Sequence, residues 1–110
     1  MFTDPEILEM VDQAVDVGFK LFSDKKYFEA EIVLTQILKV NPDNIRAIQI
    51  LGLIQHNQHK SKEAIPIFLK ALEYEPNNAE THNNIALCYA NINNLDDAIS
   101  HLKKATQIKP

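Results

Sequence analysis

The stretch LKVNPDN at residues 38–44 returns as LEYEPNN at residues 72–78, with leucine, proline and asparagine in the same places. A proline ring cannot be accommodated inside a helix, and it moves the preceding residue away from helical dihedral angles. An asparagine side chain two residues later can accept a hydrogen bond from the free amides of a helix's first turn. Each stretch is therefore interpreted as the end of one helix joined to the start of the next.

The interval of 34 residues between these stretches also separates the rarest residues of the chain. Three of the five prolines and both glycines follow it: Pro42, Pro76, Pro110, Gly18 and Gly52. Small residues form a further column, a term used below for residues 34 apart: Ala30, Ala64 and Ala98. The spacing predicts three tandem units at residues 11–44, 45–78 and 79–110, behind a leader at residues 1–10 that extends the first helix.

Within each unit the apolar residues have helical spacing. In the second unit, offsets of three and four residues occur before and after the polar segment HNQHKS at residues 56–61. The pattern predicts six antiparallel helices, two per unit, which bury a continuous apolar face only when the units stack. Asn44 and Asn78 are expected to cap first helices. The Asp, Ser and Asn residues of DKKY, KSKE and NNLD are expected to cap second helices, which begin near residues 24, 60 and 93.

Composition and charge exclude several classes of function. The chain has 110 residues, 45% of them hydrophobic, and a formal net charge of −4, so neither nucleic acid nor an anionic membrane is expected as a partner. No secretory signal precedes the first helix, and no segment is apolar enough to span a membrane. The single cysteine, Cys88, excludes an internal disulfide and favours a reducing, cytoplasmic location.

The repeating residues resemble those of the tetratricopeptide repeat (TPR) family. The matching residues are Gly18, Tyr27, Glu29, Ala30 and Pro42 in the first unit, Leu51, Gly52, Ala64, Phe68, Ala71 and Pro76 in the second, and Asn84, Ile85, Ala86, Tyr89, Asp97, Ala98, Ala105 and Pro110 in the third. The resemblance covers residues 11–110. It implies an all-α fold, a right-handed α-solenoid of three helix-turn-helix repeats.

The same resemblance implies a concave groove, lined by first helices, that binds a peptide or helix of another protein. The groove candidates that it places are Val15, Phe19, Phe22, Arg46, Gln49, Leu53, His56, Asn57, Asn83, Leu87 and Asn91. Relatives that grip carboxylate tails have Lys and Asn where this chain has Val15 and Phe19, and Arg46 is the one basic residue in the set. A ligand with apolar anchors, and with backbone groups for the amide side chains, is therefore expected.

Structural explanations remain open for several of these residues. Phe19 and Phe22 are interpreted either as groove anchors or as packing residues of a helix. The three asparagines of the set either contact a ligand or serve as solvated and capping residues. The acidic column is expected to be structural, because it complements the helix dipole at the start of each second helix: Glu29, Glu63 and Asp97.

Neither an enzyme nor a metal site is expected, and no cofactor is implied. His56 and His59 are three residues apart, but no cysteine or carboxylate completes a ligand spacing that zinc would require. The two glycines are too far apart for a phosphate-binding loop, and no Ser, His and acid trio is apparent.

Two functional hypotheses follow from the sequence. In the first, the chain is a non-catalytic protein-interaction module. In the second, it is an N-terminal arm that recruits substrates or partners for a larger protein, such as a glycosyltransferase. The third unit ends at Pro110 with no capping helix, so apolar residues from Ile85, Ile92, Ile99 or Leu102 are expected to be incompletely covered. This predicts either that the chain continues or that two copies associate through that end.

Overall fold

Six helices account for most of the structure, a computed structural model that describes residues 4–110. They are α1 (Pro5–Ser23), α2 (Tyr27–Val40), α3 (Ile45–Asn57), α4 (Ser61–Tyr74), α5 (Ala79–Asn91) and α6 (Leu95–Ile108). Between residues 4 and 110 there is no β-strand. The prediction of an all-α chain with two helices per repeat is confirmed.

The helices form three hairpins, α1 with α2, α3 with α4 and α5 with α6, which stack along the long axis of a molecule measuring 43 × 27 × 21 Å. The second helix of each hairpin packs against the first helix of the next. The first helices also contact one another in sequence, whereas across the described residues α2, α4 and α6 do not. The first helices therefore form the inner layer of a solenoid, and the second helices form its outer layer.

The joints between hairpins have the predicted construction. Asn44 caps α3 by accepting from the backbone amide of Ala47 at 3.0 Å, and Asn78 caps α5 by accepting from the amide of Thr81 at 3.0 Å. Helices α2 and α4 each end two residues before a proline. The prediction that each proline-asparagine joint stops one helix and starts the next is confirmed.

The turns inside the hairpins differ from the expectation. Only α6 has the expected side-chain cap, from Asn94, while α2 and α4 begin without one. Each turn instead contains a residue with positive φ, namely Lys25 (61°), His59 (65°) and Asn93 (64°). The next amide then donates to a carbonyl five residues earlier, as Lys60 does to Gln55 at 2.9 Å. Backbone hydrogen bonds that close the first helix thus take the place of side-chain caps on the second.

The leader lengthens the first helix. Helix α1 has 19 residues, against 13 for α3 and 13 for α5. Asp4 is its N-cap and accepts from the amide of Glu6 at 2.9 Å, with Pro5 at the first helical position. Thr3, the other residue before α1 whose side chain is of a type that caps helices, lies outside the described residues.

The glycine column allows close approach of the two helices in a hairpin. A Cβ atom on Gly18 would lie 2.8 Å from Leu34 Cδ2, and one on Gly52 would lie 2.6 Å from two ring atoms of Phe68. Leu34 and Phe68 are both fully buried. The small residue is therefore required because the large residue opposite occupies the space that a methyl group would need.

The core has two clusters of buried residues. One joins the first and second hairpins and contains Val11, Val15, Ala30, Leu34, Ile37, Ala47, Ile50 and Ile54. The other joins the second and third hairpins and contains Ala64, Ile65, Phe68, Ile85 and Cys88. Both lie between hairpins as well as within them, so stacking is part of how the chain buries its apolar surface.

Candidate protein-binding groove

The inner face of the solenoid carries the groove candidates, and they differ widely in exposure. Phe19 and Leu87 are the most exposed apolar members, at 48% and 55%. The exposed polar members are Arg46, Asn57, Asn83 and Asn91, and the partly buried members are Phe22, Gln49, Leu53 and His56. The groove surface is therefore smaller than the sequence suggested.

Val15 does not line the groove. Its side chain is fully buried in the core cluster that joins α1 to α3. A valine in this column enters the gap between the two first helices because the residues that α3 presents there are also apolar. The assignment of Val15 to the ligand surface is wrong.

Phe19 and Phe22 have separate roles in the structure. Phe22 packs against the first core cluster, and its ring centroid lies 5.9 Å from that of Tyr27. Phe19 lies 6.2 Å from Phe22 and leaves about half of its surface in water. Leu53, in the same column as Phe19, is half-buried against the second core cluster. An apolar strip thus continues from α1 to α3 on the inner face.

The one cation of the groove set is paired. Arg46 on α3 donates to Asp16 on α1 at 3.0 Å, and both side chains are largely exposed. Such surface pairs contribute little to stability, about 0–1 kcal/mol, but this one reduces the positive charge that the groove presents. Asp16 was not among the candidates, because its column has Ile50 and Asn84 in the other units and so gives no repeated signal.

Several amide and imidazole groups of the set bind the protein itself. Gln49 Nε2 donates to Thr81 Oγ1 at 2.7 Å, which connects α3 to α5. Asn91 Nδ2 donates to Ser61 Oγ at 3.1 Å, and His56 Nδ1 lies 3.2 Å from the same oxygen. These contacts form what we call the polar seam, the boundary between the second and third hairpins.

Sequence reasoning missed the polar seam because it joins different columns. Ser61 and Thr81 are both buried, although each stands in a column with no other serine or threonine. The available signal is the separation of 32 residues between Gln49 and Thr81, two residues short of the repeat, which places them on facing helices of adjacent hairpins.

Cys88 lies at the same boundary, and its thiol is expected to be unreactive. Its Sγ lies 3.7 Å from His56 Nδ1, and burial raises the pKa of the thiol to about 11. The thiol is therefore protonated at neutral pH, which makes it a poor nucleophile and a poor metal ligand. Throughout residues 4–110 no group of three or more His, Cys, Asp and Glu side chains is arranged to hold a metal ion.

A second pair of imidazoles joins α5 to α6. His82 and His101 approach at 3.0 Å between their Nδ1 atoms, and His82 Nε2 lies 2.9 Å from the carbonyl oxygen of Pro76. His101 stacks on Tyr89 with a centroid distance of 5.7 Å. The pKa of His101 is lowered by its burial and by the neighbouring His82, while Asp97 acts in the opposite direction.

Comparison with known proteins places this architecture in a family. A family model described as Tetratricopeptide repeat matches residues 45–78, and a second one of the same description matches residues 67–100. The chain belongs to the tetratricopeptide repeat family. The TPR resemblance and the solenoid fold predicted from the sequence are thereby confirmed, and membership of this family supports a role in protein–protein interaction.

Among curated proteins, the TPR chain resembles the uncharacterized protein y4yS of Sinorhizobium fredii (strain NBRC 101917 / NGR234), with 34% identity over 80 residues. The match covers 73% of this chain but only 44% of that protein. The activity and partners of any longer protein are therefore not implied by the match.

Solved structures show the same TPR fold. A MamA mutant superposes with a TM-score of 0.81 and 30% identity, covering 91% of this chain and 73% of that one. Another MamA structure gives a TM-score of 0.81 and 30% identity over 56% of its length. PcrH, in complex with the chaperone binding region of PopD, gives a TM-score of 0.85 at 17% identity, which shows the fold alone. Within residues 4–110, none of the helices is both long and apolar enough to cross a membrane.

Proposed function

We propose that the chain is a non-catalytic interaction module that binds a peptide or helix of another protein along its inner face. The observation that carries the proposal is the half-exposed ring of Phe19, next to Phe22 and in the same column as Leu53. Exposed aromatic side chains in a concave surface are typical anchors of protein interfaces.

The side chains around this strip define the chemistry of the ligand. Arg46 is paired with Asp16, and Asp12 and Glu80 stand in the column of Arg46, so the rim does not favour an acidic ligand. Asn57 and Asn83 are exposed and offer both donors and acceptors to a peptide backbone. The ligand we propose has one or two apolar anchor residues and no requirement for a carboxylate tail.

PcrH, which has the same fold, has been crystallised with the chaperone binding region of PopD. For this chain, use of the inner face is our proposal. A catalytic role is not favoured, because both possible nucleophiles next to His56 are buried. Ser61 Oγ, 3.2 Å from His56 Nδ1, also accepts from Asn91, and burial keeps the Cys88 thiol protonated. A cytoplasmic location and a role as the recruiting arm of a larger protein both remain predictions.

A peptide-display selection followed by affinity measurement tests the proposal. A synthetic peptide chosen from a random library would be titrated against the wild type, Phe19→Ala and Phe28→Ala. Phe28 is the matched control because it is 77% exposed on α2, in the outer layer. We expect Phe19→Ala to weaken binding about tenfold or more and Phe28→Ala to leave it within about twofold.

The opposite ranking would place the binding surface on the outer layer. Equal affinity for all three proteins would also contradict the proposal, provided that circular dichroism shows each variant folded. Association of two copies of the chain is a separate proposal, because it uses a different surface.

A further inference from the structure

Helix α6 exposes an apolar stripe at the end of the solenoid. Leu95, Ile99 and Leu102 are 61%, 50% and 47% exposed, and their spacing of four and three residues puts them on one face of the helix. We call these three residues the end face. Ile85, which was also expected to be uncovered at this end, is fully buried in the second core cluster, so that part of the prediction is wrong. The end face lies on a different helix from the proposed groove, so an inference from it goes beyond the proposed function.

In the second hairpin the columns of the end face are covered. Ser61, Ile65 and Phe68, in the columns of Leu95, Ile99 and Leu102, are all buried. The covering element includes α5, the first helix of the next hairpin, which packs against α4. In the first hairpin Leu34 is buried, but Glu31, in the column of Ile99, is exposed. The end face thus corresponds to the surface that the second hairpin buries against the third.

The opposite end of the molecule is unsuited to cover the end face. Where α3 inserts Ala47, Ile50 and Ile54 into the core towards the preceding hairpin, α1 has three exposed polar residues in the same columns: Gln13, Asp16 and Lys20. Docking the apolar stripe there would remove charged groups from water without a partner. Head-to-tail stacking of copies is therefore disfavoured, which leaves an association of end face with end face.

The charges of α6 select the orientation of such a pair. Asp96 and Asp97 lie in the first turn of α6, and Lys103 and Lys104 lie in its second half, and all four are exposed. Asp96 follows Leu95 and Lys103 follows Leu102, so these two charges flank the same side of the stripe. Antiparallel pairing places these same sides against each other and brings Asp96 of one copy near Lys103 of the other. Parallel pairing about a two-fold axis would place opposite sides against each other, so Asp96 and Lys103 would not meet.

We propose that the end face binds a second copy of the chain, with the two α6 helices antiparallel about a two-fold axis near the middle of α6. Leu95 of each copy then packs towards Leu102 of the other, with Ile99 close to the axis. Two facing helices bury less than the roughly 1,200–2,000 Å² of a standard interface, so the dimer is weak and depends on concentration.

Sedimentation equilibrium of the chain tests the association over concentrations from about 10 µM to about 1 mM, the range in which a weak dimer assembles. The expected result is a rise in mass from one chain towards two for the wild type and for the control Phe28→Asp, and one chain throughout for Ile99→Asp. A wild type that remains monomeric overturns the proposal and leaves the end face to another protein. A dimer that survives in Ile99→Asp, or disappears in Phe28→Asp, also overturns it. Leu95→Asp replaces Ile99→Asp if circular dichroism shows that the latter is misfolded.

Charge reversal tests the antiparallel orientation. Asp96→Lys alone places two lysine-rich surfaces together and should weaken the dimer about tenfold, since both symmetric pairs are affected. The double variant Asp96→Lys with Lys103→Asp restores opposite charges and should return the dissociation constant to within about threefold of the wild type. A double variant as weak as the single one would contradict the antiparallel arrangement.

Discussion

Gly52 lies where α3 and α4 approach closely, and the ring of Phe68 occupies the space that a side chain at this position would need. In the middle of a helix alanine is favoured over glycine by about 1 kcal/mol, yet a methyl group here would lie 2.6 Å from two ring carbons of a fully buried residue. Overpacking of this kind costs roughly 1–3 kcal/mol. We therefore expect Gly52→Ala to lower the free energy of unfolding by about 1–2 kcal/mol in urea denaturation.

The third unit has a combination of residues that should relieve the overpacking caused by Gly52→Ala. It has Ala86 and Leu102 in the columns of Gly52 and Phe68. Combining Gly52→Ala with Phe68→Leu should lose less stability than the two single changes together, with a coupling of at least about 0.5 kcal/mol. Strict additivity of the two changes would show that contact with Phe68 is not the reason for glycine at this position.

At the scale of the element, two imidazoles connect α5 and α6. His82 Nε2 donates to the carbonyl oxygen of Pro76, which leaves its Nδ1 to accept from His101 Nδ1. The pair therefore joins both helices of the last hairpin to the joint that precedes it.

The stability of this hairpin should fall in mild acid. The pKa of His101 is lowered from its ordinary value of 6.5, so below about pH 6.5 the unfolded chain binds a proton that the folded chain does not. The stability that neutral His101 contributes is therefore fully present above this pH, and it is lost as the pH falls below it. Asp97 opposes the shift, and Lys103 and Lys104 line the same shallow cavity as His82 and His101.

Urea denaturation at about pH 7.5 and about pH 5.5 measures the effect, since these values lie on either side of the ordinary histidine pKa. His101→Gln should reduce the loss of stability in acid, while His59→Gln, in an exposed turn, should leave it unchanged. If the wild type and His101→Gln lose the same free energy on acidification, the imidazole pair is not the source of the dependence.

At the scale of the whole molecule, the interval of 34 residues predicted the contacts that every hairpin repeats, but it did not predict the contacts between hairpins. Helix number, the asparagine caps at the joints and the close approach at Gly52 all follow from columns, because each hairpin repeats the same local contacts. Boundaries between hairpins join residues of different columns. Val15 is therefore buried although its column was assigned to the groove, and Thr81 was overlooked although it is fully buried in the polar seam.

Replacing one residue pair at the polar seam would reproduce the residues of the apolar boundary between the first and second hairpins. Val15 and Ala47 are both buried in the apolar boundary between the first and second hairpins, and Gln49 and Thr81 stand in the same two columns at the polar seam. A hydrogen bond contributes only about 0.5–1.5 kcal/mol net, but a buried polar group left without its partner costs about 1–3 kcal/mol. Removing one of the two polar groups should therefore lower the free energy of unfolding, whereas removing both should not.

We expect Gln49→Val alone to lower the free energy of unfolding by about 1–2 kcal/mol, because it leaves the buried Thr81 hydroxyl without its donor. The double variant Gln49→Val with Thr81→Ala removes both polar groups and reproduces the valine and alanine of the other boundary, so it should be at least as stable as the wild type. Hydrogen exchange of the α5 and α6 amides localises the effect to the last hairpin, since opening of that hairpin exposes these amides without unfolding α1 and α2. A double variant less stable than Gln49→Val would mean that the polar contact is required for the third hairpin to dock, and the boundaries would then differ in mechanism as well as in composition.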